Sequence, residues 1–201
     1  MEIKRPVSKQ PLPDHARKVF SGKIFDVYQW DQVMYDGTTR VFEKIKRLDT
    51  VVVIPVLDDG TILLIEQEQP GTKVYISACG GHIEPGEDVL DAAKRELLEE
   101  VGYHADEYVL WKAIMPSTKT DQVTFYFIAK GCKKVAEQEL DGGEKITTKQ
   151  VTFNEFLQLA RKERFMEKEP IADLYEALLD PEQYAKTKEL FSPKNNLNML
   201  G

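Results

Sequence analysis

One loop–helix unit in the middle of this 201-residue chain constrains its fold and chemistry more than any other segment. Its apolar residues recur at helical spacing, and between them stand Glu96, Glu99 and Glu100. Because an α-helix turns by about 100° per residue, these three carboxylates share one face. Like charges at this spacing repel each other, and a hard cation such as Mg²⁺ would compensate because it binds carboxylate and phosphate oxygens together. The unit therefore predicts a helix that holds a divalent metal ion.

The spacing of the whole unit is more specific than its acidity. The positions that follow one fixed pattern are Gly81, Glu87, Arg95, Glu96, Leu97, Glu99, Glu100, Gly102 and Tyr103. This pattern resembles the signature of the Nudix hydrolases, with Tyr103 counted as apolar. At average residue usage, a random chain of this length would match it on the order of once in ten million. An ordinary acidic surface helix would explain glutamates in general, but it would not explain Arg95 and the glycines at these spacings.

The resemblance implies a mechanism in which water attacks a phosphorus of a diphosphate, assisted by Mg²⁺ or Mn²⁺. It implies Glu96, Glu99 and Glu100 as metal ligands, together with the backbone carbonyl of Gly80. Glu99 is also expected to be catalytic. Arg95 is expected to contribute to catalysis by orienting a glutamate rather than by touching the substrate. Glu87 is expected at the helix start, where a carboxylate suits the free N–H groups.

The general base is expected outside this unit, because related enzymes often take it from an acidic loop well beyond the signature. Glu139, Asp141 and Glu144 are the candidates in this chain, and Glu144 is preferred because two glycines precede it. Glycines would let the loop close over a site. A plain surface turn has a similar composition and is the alternative interpretation.

The remaining sequence predicts a mixed fold. Two β-rich segments flank Asp36-Gly37, which predicts an antiparallel ribbon too thin to bury a core alone. Predicted core strands cover residues 51–57, 61–66, 74–78, 108–115 and 123–129, and predicted helices cover residues 87–101, 153–162, 171–179 and 181–190. The pattern alone indicates an α+β or α/β fold.

The resemblance narrows this to an α/β fold, a Nudix-type α/β/α sandwich with a mixed sheet and an added N-terminal antiparallel β-ribbon. The expected domains are a lead-in and dimerisation ribbon at residues 1–47, a Nudix hydrolase domain at 48–190 and a C-terminal tail at 191–201. Within the first of these, residues 1–16 are expected to be a flexible lead-in.

The ribbon, the core strands and Pro116-Ser117 resemble the ADP-ribose pyrophosphatase branch, in which the ribbon is exchanged between subunits of a dimer. A homodimer is therefore expected. Two departures stand out: Gln67-Glu68-Gln69 replaces a common Gln–aromatic–Arg, and Ser77-Ala78-Cys79-Gly80 replaces a common Glu-Leu-Pro-Ala. The missing arginine and glutamate normally help to hold substrate, so the departures bear on substrate identity and leave diphosphate hydrolysis intact.

Three functions are compatible with these observations. The first is hydrolysis of a small-molecule nucleotide substrate in which a nucleoside diphosphate is linked to a sugar, as in ADP-ribose. The second is a house-cleaning pyrophosphohydrolase of nucleoside triphosphates, although small enzymes of that kind usually lack the ribbon. The third is a non-catalytic ligand sensor of the same fold.

Composition excludes several partners. The formal net charge of −7 argues against nucleic acid, and no apolar run approaches the roughly 20 residues of a membrane span. The two cysteines imply no disulfide framework. A cytoplasmic protein is expected. Cys79 is expected to be a buried small hydrophobe rather than a nucleophile. Phe25, Tyr28 and Trp30 are expected to pack in the core or at a dimer interface rather than to stack a base.

Overall fold

The computed structural model describes residues 3–140 and 145–194 of the chain. Its strands are β1 (Arg17–Ser21), β2 (Phe25–Val33), β3 (Thr39–Arg47), β4 (Thr50–Val56), β5 (Ile62–Glu68), β6 (Tyr75–Ser77), β7 (Cys79–His82), β8 (Tyr103–His104), β9 (Glu107–Ile114), β10 (Thr120–Asp121), β11 (Thr124–Lys130), β12 (Lys133–Lys134) and β13 (Lys145–Val151). Its helices are α1 (Val89–Val101), α2 (Phe153–Leu159), α3 (Ile171–Leu179) and α4 (Pro181–Leu190).

A mixed sheet forms the centre of the molecule, in the order β13-β5-β4-β11-β9. The pair β4 and β11 is parallel, whereas β9 and β13 run antiparallel to their neighbours. Strands β4 and β5 pair only at Val56 and Ile62. Beyond that point β6 pairs with β5 and β7 pairs with β4. The consecutive strands β6 and β7 thus bring the segment before α1 into the sheet.

Alternation along the central strands builds one apolar layer on each side of the sheet. Val51 and Val53 of β4 join the core cluster that contains the buried residues of α1. Ile54 and Val56 of the same strand join the cluster formed with α2, α3 and Phe191. Side chains of a strand point alternately to its two faces, so one strand supplies both layers. The predicted α/β/α sandwich with a mixed sheet is confirmed.

Helix α1 begins and ends at identifiable caps. The Asp88 side chain accepts a hydrogen bond from the Leu90 N–H at 2.8 Å, so Asp88 caps the helix. The expectation that Glu87 serves the free N–H groups of the helix start is therefore wrong. Gly102 ends the helix at φ 74°, and a Cβ there would lie 2.1 Å from the Ala136 carbonyl oxygen. Both the left-handed backbone and this close approach require glycine.

The N-terminal ribbon is part of a larger sheet. Strands β1, β2 and β3 are antiparallel, as predicted, and β10 adds a fourth strand parallel to β3. Trp30 is buried on this sheet and packs edge-on against Phe42, with ring centroids 5.8 Å apart. Trp30 therefore packs within the fold, as expected. The ribbon is also supported by β10, which comes from a later segment of the same chain.

The segment before the ribbon is anchored rather than loose. The buried Lys44 ammonium on β3 donates to Ser8 Oγ at 2.8 Å and to the Gln10 carbonyl at 2.5 Å. The Arg5 guanidinium bonds Asp49 and Asp121. A buried ammonium must find acceptors, and this segment supplies them. The expectation of a flexible lead-in at residues 1–16 is therefore wrong for Arg5, Ser8 and Gln10, which make these contacts.

No helix in the described part of the chain has the length and apolar character needed to cross a membrane.

Candidate active site

The three predicted metal-ligating glutamates line a single cavity of about 820 Å³. Helix α1, strand β7 and the loop between them supply most of its wall, and the segment that ends at Leu140 closes one side. The lining residues are Leu48, Gly80, Gly81, His82, Glu84, Pro85, Arg95, Glu96, Glu99, Glu100, Glu139 and Leu140. Because α1 is an unbroken helix, the shared face predicted from sequence becomes one wall of the cavity.

Two glycines of β7 lie against the glutamates of α1. A Cβ on Gly81 would lie 2.4 Å from Oε1 of Glu96, so the Glu96 carboxylate occupies the space of the missing side chain. The Gly80 N–H donates to Oε2 of Glu100 at 2.7 Å. The backbone of β7 therefore contacts two of the three glutamates directly.

Arg95 links the carboxylates of Glu87, Glu96 and Glu99 through hydrogen bonds. Its guanidinium donates to Glu87 at 2.8 and 3.0 Å, to Glu96 at 2.7 Å, to Glu99 at 3.1 Å and to the His82 carbonyl at 2.9 Å. A planar guanidinium presents five donors, so it can serve several acceptors at once. This is the arrangement expected of an arginine that orients glutamates, and Glu87 is one of its anchors.

Burial and Arg95 act in opposite directions on the acidic wall. Burial of Glu96 raises the pKa of its carboxyl, while the adjacent Arg95 acts to lower it. At Glu87 the hydrogen bonds from Arg95 dominate and lower the pKa of that carboxyl. One arginine thus faces several carboxylates, and the excess negative charge on this wall favours a bound cation.

The donor set fits a hard divalent ion. Three carboxylates and a backbone carbonyl are the oxygen ligands that Mg²⁺ and Mn²⁺ take. Among residues 3–140 and 145–194, no three His, Cys, Asp or Glu side chains converge on one point as a preformed metal centre would require. Glu96 and Glu99 accept hydrogen bonds from Arg95, and Glu100 accepts one from the Gly80 N–H. A carboxylate has about four lone-pair sites, so one such bond leaves room for a metal.

The predicted acidic loop is attached to the C-terminal end of α1. The Glu139 N–H donates to the Glu99 carbonyl at 2.8 Å, and the Gln138 side chain donates to the Glu100 carbonyl at 2.5 Å. Glu139 itself lines the cavity. Asp141 and the preferred base, Glu144, lie outside the described residues. Gln138 was missed in the sequence because an amide beside an acidic loop carries no recognisable signal.

Sequence reasoning also missed Arg47, at the end of β3. Its Nε atom is buried and has no hydrogen-bond partner within the described part of the chain. Burial, and then the charge of Arg47, lower the pKa of His82 in the neighbouring cavity wall. Arg47 lines a second pocket of about 430 Å³ with Lys18, Lys23, Lys46, Phe25 and Tyr28, and Leu48 borders both pockets. A basic pocket with aromatic walls thus adjoins the acidic cavity.

Cys79 is not available as a nucleophile. The side chain is 1% exposed, and its Sγ donates to the Val53 carbonyl at 3.2 Å. Burial, with Glu100 nearby, raises the pKa of the thiol well above its ordinary value. A thiol held protonated is a poor nucleophile, which confirms Cys79 as a buried small residue.

The site and the fold together define a class, and comparison with known proteins establishes it. The model of the Nudix domain matches residues 46–174, which is more than half of the chain. The chain belongs to the Nudix family.

Several relatives are similar over most of their length. The ADP-ribose pyrophosphatase of Bacillus subtilis (strain 168) is 31% identical over 145 residues, covering 71% of this chain and 78% of that protein. The ADP compounds hydrolase NudE of Escherichia coli (strain K12) is 31% identical over 143 residues, covering 68% and 73%. The methanol dehydrogenase activator of Bacillus methanolicus is 28% identical over 160 residues, covering 78% and 86%. This chain is thus a Nudix hydrolase related to an ADP-ribose pyrophosphatase and an ADP compounds hydrolase.

A solved structure shares the fold. The crystal structure of an ADP compounds hydrolase superposes with a TM-score of 0.68, covering 94% of this chain and 99% of that one at 22% identity. At this identity the likeness establishes the Nudix fold.

Proposed function

We propose that this protein hydrolyses the diphosphate bond of a nucleoside diphosphate linked to a sugar, in a reaction that depends on Mg²⁺ or Mn²⁺. Water is consumed, and a nucleoside monophosphate and a sugar phosphate are released. The observation that carries the proposal is that Glu96, Glu99, Glu100 and Gly80 all line one cavity. Such a set of oxygen donors suits a metal that in turn binds phosphate oxygens.

Each residue has a distinct task in this proposal. Glu96, Glu99, Glu100 and the Gly80 carbonyl would hold the metal, which would neutralise diphosphate charge and lower the pKa of the attacking water. Arg95 holds the carboxylates of Glu87, Glu96 and Glu99 in a fixed orientation through its hydrogen bonds. A further carboxylate, Glu144, accepts the proton of the water.

The choice of a nucleotide sugar has independent support. The basic pocket beside the cavity offers Lys46 and Arg47 to anionic groups, with aromatic rings close by. The names of two relatives, an ADP-ribose pyrophosphatase and an ADP compounds hydrolase, point to the same substrate class. At the two departures from that branch, Gln67 donates to Ser77 Oγ at 2.7 Å, so these residues are engaged with each other. The substrate screen described next identifies the base and the sugar of the substrate.

A substrate screen tests the proposal. Nucleotide sugars and nucleoside triphosphates are incubated with the protein and Mg²⁺, and nucleoside monophosphate, sugar phosphate and pyrophosphate are measured. Release of monophosphate together with sugar phosphate is expected. Release of pyrophosphate from triphosphates would favour the house-cleaning alternative. Binding of a nucleotide sugar without any turnover, with or without metal, would favour the ligand sensor.

The general base is the first residue-level prediction. We expect Glu144→Gln to lower the turnover number at least tenfold while changing the substrate KM little, because a base acts on the chemical step. Steady-state kinetics with saturating Mg²⁺ measures both. Asp141→Asn and Glu139→Gln remove charge from the same loop and are expected to have small effects. A crippled Asp141→Asn or Glu139→Gln enzyme beside an active Glu144→Gln enzyme would assign the base to the other carboxylate.

We also propose a homodimer formed through the ribbon. One face of this sheet exposes apolar side chains in neighbouring strands: Phe20, Phe25, Val33, Val41 and Ile45, each between 37 and 67% exposed. The same face carries charges of both signs, including Arg17 and Glu43. A two-fold interface pairs a patch with itself, and a patch of mixed sign can do so without net repulsion. A second copy of the chain is therefore the proposed occupant.

Quaternary structure provides the second prediction. Light scattering at micromolar concentration is expected to give twice the chain mass of 23.0 kDa. Val41→Glu should yield a monomer, because it adds a second carboxylate opposite Asp31 on the apolar face. Leu179→Glu is the matched control, since Leu179 is 78% exposed on α3 and lies outside the ribbon. A wild-type mass of 23.0 kDa would refute the dimer.

A further inference from the structure

A strand changes partners immediately before the metal-binding backbone. Strand β6 pairs with β5 up to Ser77, and β7 pairs with β4 from Cys79 onward. Ala78 lies between the two and belongs to neither register. Its N–H instead donates to Oε1 of Glu167 at 3.0 Å. A side chain 89 positions away thus replaces the strand neighbour that this N–H lacks.

The segment that carries Glu167 is built onto the same strand. The Ile76 N–H donates to the Arg164 carbonyl at 2.8 Å, and the Met166 N–H donates to the Ile76 carbonyl at 2.9 Å. Phe165 between them is fully buried in the second core cluster. This segment, between α2 and α3, therefore follows the edge of β6 and places Glu167 beneath Ala78.

Glu167 is a buried group without a task in the proposed reaction. The residue is 7% exposed and lies near Tyr126, whose hydroxyl donates to Glu169 at 2.8 Å. Burial raises the pKa of the Glu167 carboxyl to about 7. A carboxylic acid and a carboxylate both offer an acceptor oxygen to an N–H, so the bond to Ala78 exists in either state.

Ala78 is two residues from the point at which the backbone meets the metal site. The Gly80 N–H donates to Glu100, and the Gly80 carbonyl is the proposed backbone ligand. Any shift of the strand at Ala78 would move both groups relative to α1. Loss of a group that holds a metal ligand in place typically lowers metal affinity by about 10- to 100-fold.

We propose that Glu167 is a positioning residue for the metal site, which sets the backbone at Gly80 through its hydrogen bond to the Ala78 N–H. The inference rests on the proposed function, because it assumes that Gly80, Glu96, Glu99 and Glu100 hold a divalent ion. Glu167 touches neither metal nor substrate in this account.

Calorimetric titration of the full-length protein with Mn²⁺, in the absence of substrate, tests the inference. Glu167→Met has a similar volume and no acceptor for Ala78, and we expect Mn²⁺ to bind about tenfold more weakly. The Mg²⁺ concentration for half-maximal hydrolysis should rise by the same factor, with a smaller change in the turnover number at saturating Mg²⁺. Glu167→Gln keeps an acceptor oxygen and should restore Mn²⁺ affinity to within about threefold of wild type.

Tyr126→Phe is the matched control for loss of stability. It removes the hydroxyl that donates to Glu169 but leaves the bond between Ala78 and Glu167, so its melting temperature should fall while Mn²⁺ affinity stays near wild type. If Glu167→Met does not fold, replacement of Ala78 by lactic acid puts an ester oxygen in place of the N–H donor and keeps the Glu167 side chain, and the same tenfold loss is expected.

The outcomes separate this inference from the proposed function. Wild-type affinity for Mn²⁺ in a folded Glu167→Met or lactic-acid variant would overturn the positioning role alone. Equal losses in Tyr126→Phe and Glu167→Met would also overturn it, because the effect would then follow general stability. Failure of the wild-type protein to bind Mn²⁺ would overturn the metal site itself, and this inference with it.

Discussion

Replacing Glu100 with Gln is expected to lower the turnover number at least a hundredfold while leaving the fold intact. The amide loses the charge that would hold a divalent ion and stabilise the transition state. Its oxygen can still accept the hydrogen bond that Glu100 receives from the Gly80 N–H at 2.7 Å. The free energy of unfolding should therefore change by no more than about 0.5 kcal/mol, and loss of one like charge on the helix face acts in the stabilising direction. Initial rates over a range of Mg²⁺ concentrations and a thermal melt measure the two effects.

Asp91→Asn is the matched control for Glu100→Gln. Asp91 lies on the same helix, is exposed and pairs with Lys94 at 2.8 Å. Removing its charge should leave both rate and stability near wild type, because an exposed ion pair contributes little. Near wild-type hydrolysis by Glu100→Gln would show that Glu100 does not hold the metal.

The second large effect is expected at Arg95. Arg95→Met removes the donor shared by Glu87, Glu96 and Glu99 and leaves the buried Glu96 beside like charges. We expect turnover to fall roughly a hundredfold, because the proposed ligands lose their orientation. The free energy of unfolding should fall by about 2 kcal/mol, less than for a fully buried pair because the Arg95 side chain is 28% exposed. Kinetics at saturating Mg²⁺ and denaturant unfolding provide the measurements.

Two variants bracket the Arg95 result. Arg95→Lys keeps the charge but offers a single ammonium in place of a planar fork, so its rate should lie between wild type and Arg95→Met. Lys94→Met, one position away, removes a cation that pairs only with exposed Asp91 among the described ion pairs, and both rate and stability should stay near wild type. Wild-type turnover in Arg95→Met would contradict an orienting role.

The acidic wall of the site could be predicted from sequence because its geometry is local. Three carboxylates at positions 96, 99 and 100 share a face of any regular helix, whatever surrounds it. Gly102 ends that helix for the same kind of local reason, since a left-handed cap favours glycine. The continuous apolar run at residues 51–57 likewise predicted a buried strand, and β4 contributes to the core layer on each side of the sheet. The Nudix pattern added the α/β/α sandwich, which no local rule specifies.

Contacts between distant segments were decided only in the tertiary structure. Nothing near Glu167 in the sequence indicates that its carboxylate reaches Ala78, and nothing near Arg5 indicates Asp49 as its partner. The start of α1 shows the same effect. Asp88 caps the helix, whereas the Glu87 carboxylate accepts a hydrogen bond from Arg95. Local periodicity specifies which side chains share a face. Which polar groups meet across the fold depends on how layers pack, because each buried donor must find an acceptor wherever the chain brings one.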